Sequence, residues 1–201
     1  MEEALFAQTS CIILSAGSSA RMGTHKALLK FDSGNTFLQK ITETFLLAGI
    51  DQAIVVVNSE LFKLIKESNF TLSEKVLLVI NDKPELGRFY SLQTGIKHLK
   101  PGNSCFFQNI DNPLTSEDLL RELIIHKAKA DVVMPTYQKR PGHPVLISPL
   151  IVSGIINAKD PEIRIDLFLK SFDILDIETT YGNISININT PEDYLAVYNK
   201  P

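Results

Sequence analysis

The run Leu14-Ser15-Ala16-Gly17-Ser18-Ser19-Ala20-Arg21-Met22-Gly23-Thr24-His25-Lys26 places two glycines and two strong cations directly after the apolar stretch Cys11-Ile12-Ile13-Leu14. Gly17 and Gly23 let backbone N–H groups approach an anion without a Cβ in the way, and Arg21 and Lys26 supply charge to neutralise a triphosphate. The pattern predicts a phosphate-cradling loop after a buried strand. Its spacing excludes two common alternatives. A P-loop carries Lys directly after its second glycine, whereas Thr24 and His25 intervene here, and no G-x-G-x-x-G fingerprint is present. Lys26, closing the loop, is the leading phosphate ligand. Arg21 is the second cation, and an Arg at that place can equally bridge the loop to a nearby carboxylate.

Asp111 is the next candidate. It follows the strand-like run Cys105 to Ile110 and precedes Asn112-Pro113, so its carboxylate is expected at the rim where an open sheet binds ligands. Magnesium binds proteins through one or two carboxylates plus substrate phosphates, and a single rim Asp suffices as its main anchor. The competing role for such an Asp is a structural turn before proline. Other chemistries find no support. His25, His98 and His126 have no Cys or carboxylate at zinc-ligand spacing, and no serine sits in a Gly-x-Ser-x-Gly elbow.

The first loop reads L-x-A-G-x-S-x-R-M-G-x-x-K. It is followed in order by Gly87-Arg88-Phe89-Tyr90-Ser91-Leu92, Asp111-Asn112-Pro113, Gly142-His143-Pro144-Val145-Leu146 and Asn187-Ile188-Asn189-Thr190-Pro191-Glu192-Asp193. With these five motifs the chain resembles, over nearly its whole length, the MobA-like nucleotidyltransferases, nearest the molybdenum cofactor cytidylyltransferase branch. The resemblance implies an α/β fold: a Rossmann-like three-layer nucleotidyltransferase with a mostly parallel central sheet. It implies Mg2+-dependent transfer of a nucleoside monophosphate, CMP from CTP, to a phosphorylated acceptor such as molybdopterin, with release of pyrophosphate.

Residue by residue, the resemblance places Asp111 at the metal and reads the base through backbone atoms of Ser15, Ala16 and Gly17, beside Leu14. It brings Asn81, Asp82 and Ser91 near base and ribose; Asn81 and Asp82 are also suited to starting a turn, and Ser91 to facing its own helix. Gly142 and His143 fall on the acceptor side, although a His between Gly and Pro also serves as a plain turn residue. The C-terminal motif departs from the cytidylyl branch, which carries D-x-D-T-P; Asn187-Ile188-Asn189 is closer to the guanylyl branch. Alternation over Ile184 to Ile188 puts Asn187 and Asn189 on one face, offering carbonyl oxygen without charge, so the metal leans on Asp111 and the nucleotide phosphates. Asn189 is the preferred ligand of the two, against a turn-forming role before Pro191. Two other functions remain open: a sugar-phosphate or polyol-phosphate nucleotidyltransferase, and a nucleotide-binding regulatory module without catalysis. The Asn pair favours the module; Asp111 and Lys26 count against it.

The elements that must position these residues follow from hydrophobic patterning. Apolar runs at Cys11 to Leu14, Ala53 to Val57, Val76 to Ile80, Cys105 to Phe107 and Val132 to Met134 read as buried strands, with helical patterns between most of them. A helix from about Thr36 to Ala48 carries Phe37, Ile41 and Phe45 on one stripe and stops at Gly49. Ser116 is the expected N-cap of another, whose packing face is Leu119, Leu120, Leu123 and Ile124. After Pro135 the clean alternation is lost among Pro141, Gly142, Pro144 and Pro149. Strands at Ile174 to Ile177 and Ile184 to Ile188 then precede a helix starting at Pro191. This order puts the loops after Leu14, Asn58, Ile80 and Ile110 on one rim. A length of 201 residues with 44% hydrophobic content suits one domain, 1–201. The net charge of −3 argues against nucleic-acid or anionic-membrane partners. Two cysteines in apolar runs predict packed thiols, and a start of MEEALFAQTS without a basic flank predicts an unexported, cytoplasmic protein.

Overall fold

The computed structural model describes residues 5–198. Four parallel strands form half of the central sheet: β1 (Thr9–Ser15), β2 (Ala53–Val57), β3 (Val76–Ile80) and β4 (Ser104–Asn109), in the order β3-β2-β1-β4. Beyond β4 the direction changes. β7 (Val145–Ile147) pairs antiparallel with both β4 and β5 (Val132–Tyr137); β5 also forms a short antiparallel pair with β6 (Arg140–Pro141) and a parallel one with β8 (Ile174–Glu178). The loss of β–α alternation expected after Pro135 is this switch.

Each central strand is hydrophobic on both faces because helices cover both. On one side α1 (Phe37–Leu47), α2 (Ser59–Glu67) and α4 (Glu117–Ile124) bury Phe37, Ile41, Leu61 and Leu120 against Cys11, Ile13 and Val55. On the other, α3 (Gly87–Ile96), α5 (Pro149–Asn157) and α6 (Ile165–Leu169) bury Phe89, Leu92, Ile151 and Leu169 against Ile12, Leu14 and Ile54. The result is the three-layer α/β arrangement with a mostly parallel core. Successive residues of β1 thus serve opposite cores, as a two-residue side-chain period requires. Cys11 and Cys105 lie in opposite cores, both free, and burial raises both thiol pKa values.

Local signals start the helices where the sequence predicts. Thr36 and Gln39 form a reciprocal capping box on α1, and Ser116 Oγ accepts the Leu119 N–H at the start of α4. The final helix, α7 (Pro191–Tyr198), begins at Pro191 and packs Tyr194 and Tyr198 against Phe37. Two expectations are corrected. β3 lies at the sheet edge, so Leu77 and Ile80 are exposed instead of buried. Ile184 to Ile188 is not a strand but a 3-10 turn, Gly182–Ser185, followed by an irregular run. Asn112 explains why: it is buried, and its Nδ2 donates to the carbonyls of Ile184 and Ile186 and takes acceptors that a neighbouring strand would need. Among the described residues no helix is long and apolar enough to cross a membrane.

Candidate active site

The loop leaving β1 turns sharply at Ser19, which has a left-handed φ of 51°, passes through a 3-10 turn at Ala20–Met22, and reverses again at Gly23, where φ is 71°. A second 3-10 turn, Lys26–Leu28, then brings Lys26 back under the loop. Three contacts hold this path: Asn58 Nδ2 donates to the Ala16 carbonyl at 3.1 Å, the Met22 N–H donates to Ser19 O at 2.8 Å, and the Lys26 N–H donates to Ser19 Oγ at 3.4 Å. Asn58 also caps α2 through the Leu61 N–H, so one side chain ties the loop to a helix start.

Lys26 is the centre of the arrangement. Its side chain is only 10% exposed, and its Nζ donates to Asn189 Oδ1 at 2.7 Å and lies 3.4 Å from Asp111 Oδ2. Three segments far apart in sequence therefore converge on one ammonium. Asp111 is held by the end of β4, and the Ile188 N–H donates to its backbone carbonyl at 2.7 Å. Asn189 is fixed from the other side. Asp193 Oδ2 accepts the N–H groups of Asn189 and Thr190, both at 2.9 Å, while Thr190 Oγ1 accepts the Asp193 N–H. This reciprocal box starts α7 and sets Asn189 two residues before its first turn. The same two N–H donors hold the Asp193 carboxyl below the usual carboxylate range.

The other Asp111 oxygen, Oδ1, is buried without a hydrogen-bond partner. An anionic oxygen in that state calls for a cation. Together with Oδ2 and Asn189 Oδ1, which already converge on a positive charge, it fits a hard divalent ion that prefers oxygen donors. Among the described residues no three His, Cys, Asp or Glu side chains cluster as a metal cage. A site of this kind takes its remaining ligands from water and substrate phosphate.

These groups line a cavity of about 290 Å³ whose walls include Leu14, Ser15, Ala16, Gly17 and Arg21 on the loop side and Ser91 and Asn109 opposite. Beside it lies a cavity of about 710 Å³, lined by Phe89, Phe107, Met134, Val145 and Ile165 on its apolar side. Gly142 and His143 belong to this larger cavity. A Cβ on Gly142 would fall 2.6 Å from Ile184 Cγ1 and 2.7 Å from the Ile184 carbonyl oxygen, so only glycine lets the two segments close the wall. His143 Nε2 is 3.1 Å from Asn109 Nδ2, an arrangement that makes Nε2 the acceptor. Burial lowers the imidazole pKa to about 4, with the Arg88 charge adding to the effect and the Asp111 carboxylate opposing it. The ring is neutral at pH 7.

Of the residues singled out from the sequence, the structure gathers Leu14, Ser15, Ala16, Gly17, Arg21, Lys26, Ser91, Asp111 and Asn189 around the smaller cavity. Gly23 shapes the loop without lining it. Asn81 and Asp82 also stand back: buried Asn81 donates to Ser91 Oγ at 2.9 Å and accepts the Lys83 N–H, while exposed Asp82 accepts from Tyr90 Oη at 3.4 Å. Asn187 departs furthest from expectation. Without the strand, it does not share a face with Asn189; it is exposed, its Nδ2 donates to the Ser185 carbonyl at 3.2 Å, and it lines the larger cavity. The sequence reading missed Arg88 and Asn109, which line both cavities. Arg88 sits inside the quoted motif after Gly87, and Asn109 ends β4 two residues before Asp111, so position alone could have flagged both.

Comparison with known proteins gives the chain its relatives. The chain is 24% identical over 188 residues to the molybdenum cofactor cytidylyltransferase of Escherichia coli K12, covering 92% of this chain and 93% of that protein. A probable molybdenum cofactor guanylyltransferase of Rhodopirellula baltica is 30% identical over 115 residues, 56% of this chain and 53% of its own. Among solved structures, Rv0371c of Mycobacterium tuberculosis H37Rv superposes with a TM-score of 0.77 at 20% identity over 97% of this chain and all of the other. Its complex with manganese superposes at 0.74. Residues 11–164 match the MobA-like NTP transferase domain, a span that holds the glycine loop, Lys26, Asp111 and His143, and the chain belongs to that family of nucleotidyltransferases.

Proposed function

We propose that the protein transfers a nucleoside monophosphate, CMP from CTP, to a phosphorylated acceptor of the molybdopterin type, releasing pyrophosphate. The observation that carries this reading is the convergence of Lys26, Asp111 and Asn189 at the floor of the glycine-loop cavity, with a larger apolar cavity opening beside it. A polar compartment with a loop for phosphate next to a compartment with apolar walls suits two substrates that meet at one reacting phosphorus. Support for the acceptor class comes from the names of the E. coli and R. baltica relatives. Those names divide between cytidylyl and guanylyl transfer, so the base is the finer part of the proposal.

In this mechanism the Ser15 to Gly17 backbone faces the nucleotide, and Lys26 and Arg21 neutralise its phosphates. Asp111 and Asn189 would hold Mg2+, which when bound supplies charge to the triphosphate. Lys26 then exchanges its present oxygens for phosphate oxygens. The acceptor needs no dedicated general base, because a phosphate monoester with a second pKa of about 6 is already ionised at pH 7. Catalysis rests on positioning and on charges fixed before the reaction begins. Neutral His143 orients Asn109 at the boundary of the two cavities.

The test is pyrophosphate release from the purified protein with Mg2+, each of the four NTPs, and a panel containing molybdopterin, sugar phosphates and polyol phosphates. Release with CTP and molybdopterin above every other pair is the expected result. A sugar or polyol phosphate as the preferred acceptor overturns the acceptor assignment, and GTP preference overturns the base.

A further inference from the structure

The two cavities meet at Arg88 and Asn109, the residues common to both linings. Asn109 is committed to His143 through its Nδ2. Arg88 is not committed. It is the second residue of α3, and its neighbour Phe89, 2% exposed and stacked edge-on with Phe168 at 5.2 Å, anchors the helix start while Arg88 stays exposed at the mouth. No carboxylate pairs with it among the described residues.

The remaining cations divide by cavity. In the smaller one Lys26 and Arg21 serve the phosphates. In the larger one the Arg164 fork is closed on Asp166, with Nε to Oδ1 at 3.0 Å and Nη2 to Oδ2 at 2.8 Å, and exposed Lys170 lies on the α6 side, away from the smaller cavity's lining. An unpaired guanidinium at a junction of two compartments binds an anion that itself sits at the junction. In a nucleotidyl transfer that anion is the attacking group.

We propose that Arg88 clamps the acceptor's phosphate beside the α-phosphate of the nucleotide, and so acts as the acceptor-recognition residue of this enzyme. The proposal rests on the nucleotidyl-transfer reading above. In the reaction an oxygen of the phosphomonoester forms a bond to the α-phosphorus, and the bond from that phosphorus to the oxygen bridging to the β-phosphorus breaks. Pyrophosphate leaves with the electron pair, and no proton is transferred. Two anions must approach to bonding distance, and the guanidinium fork offsets their repulsion while fixing the direction of attack.

The experiment compares wild type, Arg88→Gln and Arg88→Lys by calorimetry in two steps. The first measures affinity for the Mg2+ complex of an α,β-methylene CTP or GTP analogue, whichever the wild type binds more tightly. The second titrates inorganic phosphate into the protein saturated with that analogue. Arg88→Gln should bind the analogue within about 3-fold of wild type and phosphate at least about 10-fold more weakly, with Arg88→Lys between the two. In turnover with the acceptor found in the screen above, the acceptor KM should rise while the NTP KM holds. An exposed side chain contributes little to the core, so both variants should fold, which a melting curve checks. Unchanged phosphate affinity in Arg88→Gln, or no phosphate binding to the wild-type complex, overturns the proposal. An equal loss of analogue affinity overturns it too, by making Arg88 a triphosphate ligand. Failure of the wild type to bind either analogue is a separate result, which overturns the nucleotidyl-transfer reading and this inference with it.

Discussion

The two cavities are built by different means. The smaller is made of backbone and short polar side chains held by hydrogen bonds: Asn58 to Ala16, Asp193 to Asn189, Lys26 to both Asn189 and Asp111. The larger is made of apolar side chains from strands on both sides of the sheet's change of direction, Phe107 and Val145 among them, with charges at its rim. A triphosphate is the same in every NTP, and fixed donors can be placed for it in advance. An acceptor is told from others by shape, and apolar walls can change shape without disturbing the phosphate loop.

If the division holds, substitutions in the two compartments should fail in different ways. Asp111→Asn should have the largest effect, removing the carboxylate that pairs with Lys26. We expect turnover to fall about 10³-fold with nucleotide affinity partly kept, read by steady-state kinetics beside calorimetry. An active variant with unchanged Mg2+ dependence would break the metal assignment. Lys26→Ala comes next, at about 10²-fold in kcat/KM for the NTP with the acceptor KM unaltered. A rise in acceptor KM alone would place Lys26 on the wrong side of the boundary.

His143 sharpens the comparison through pH. Its folded pKa, about 4, lies below the ordinary value of 6.5, so between those values the unfolded chain binds a proton that the folded one does not. Stability is therefore full above pH 6.5 and falls as pH drops towards 4, by an amount on the order of 1–3 kcal/mol. His143→Gln should flatten that acid limb in urea titrations at pH 7 and pH 5; an equally steep limb would assign it to other groups. The smallest effect is expected of Asn189→Asp. The new carboxylate strengthens metal binding but also holds Lys26, so the half-saturating Mg2+ concentration should drop only about 2- to 5-fold. An increase would mean that Lys26 keeps the added charge.

How much of this was readable from the sequence follows the same boundary. Leu14, Gly17, Lys26 and Asp111 are near in sequence to strands whose apolar runs are unmistakable, so their place on the rim follows from the direction of parallel strands. The expected burial of β3 was wrong because a strand at an edge and one at the centre share the same run, here Val-Leu-Leu-Val-Ile, and differ only in neighbours. Asn187 was misplaced for another reason. Alternation of Asn and Ile over 184 to 189 imitates a strand, but the segment is shaped by Asn112, far back in the chain, through hydrogen bonds that no local pattern announces. Asn81 shows a third case: a polar residue at the rim that supports Ser91 without lining the cavity itself.

The bond from Lys26 to Asn189 spans 163 residues. At a translation rate of roughly 5–20 residues per second, the ribosome needs roughly 10–30 s to travel between them. Throughout that interval a growing chain has its glycine loop, and later Asp111, but lacks the amide oxygen that accepts from the ammonium and the Asp193 box that fixes it. Nucleotide in the cell can therefore stabilise the finished protein by mass action yet offer much less to the nascent one. On the proposed reading the site is completed among the last contacts of synthesis, and ligand would select for chains that have reached residue 193.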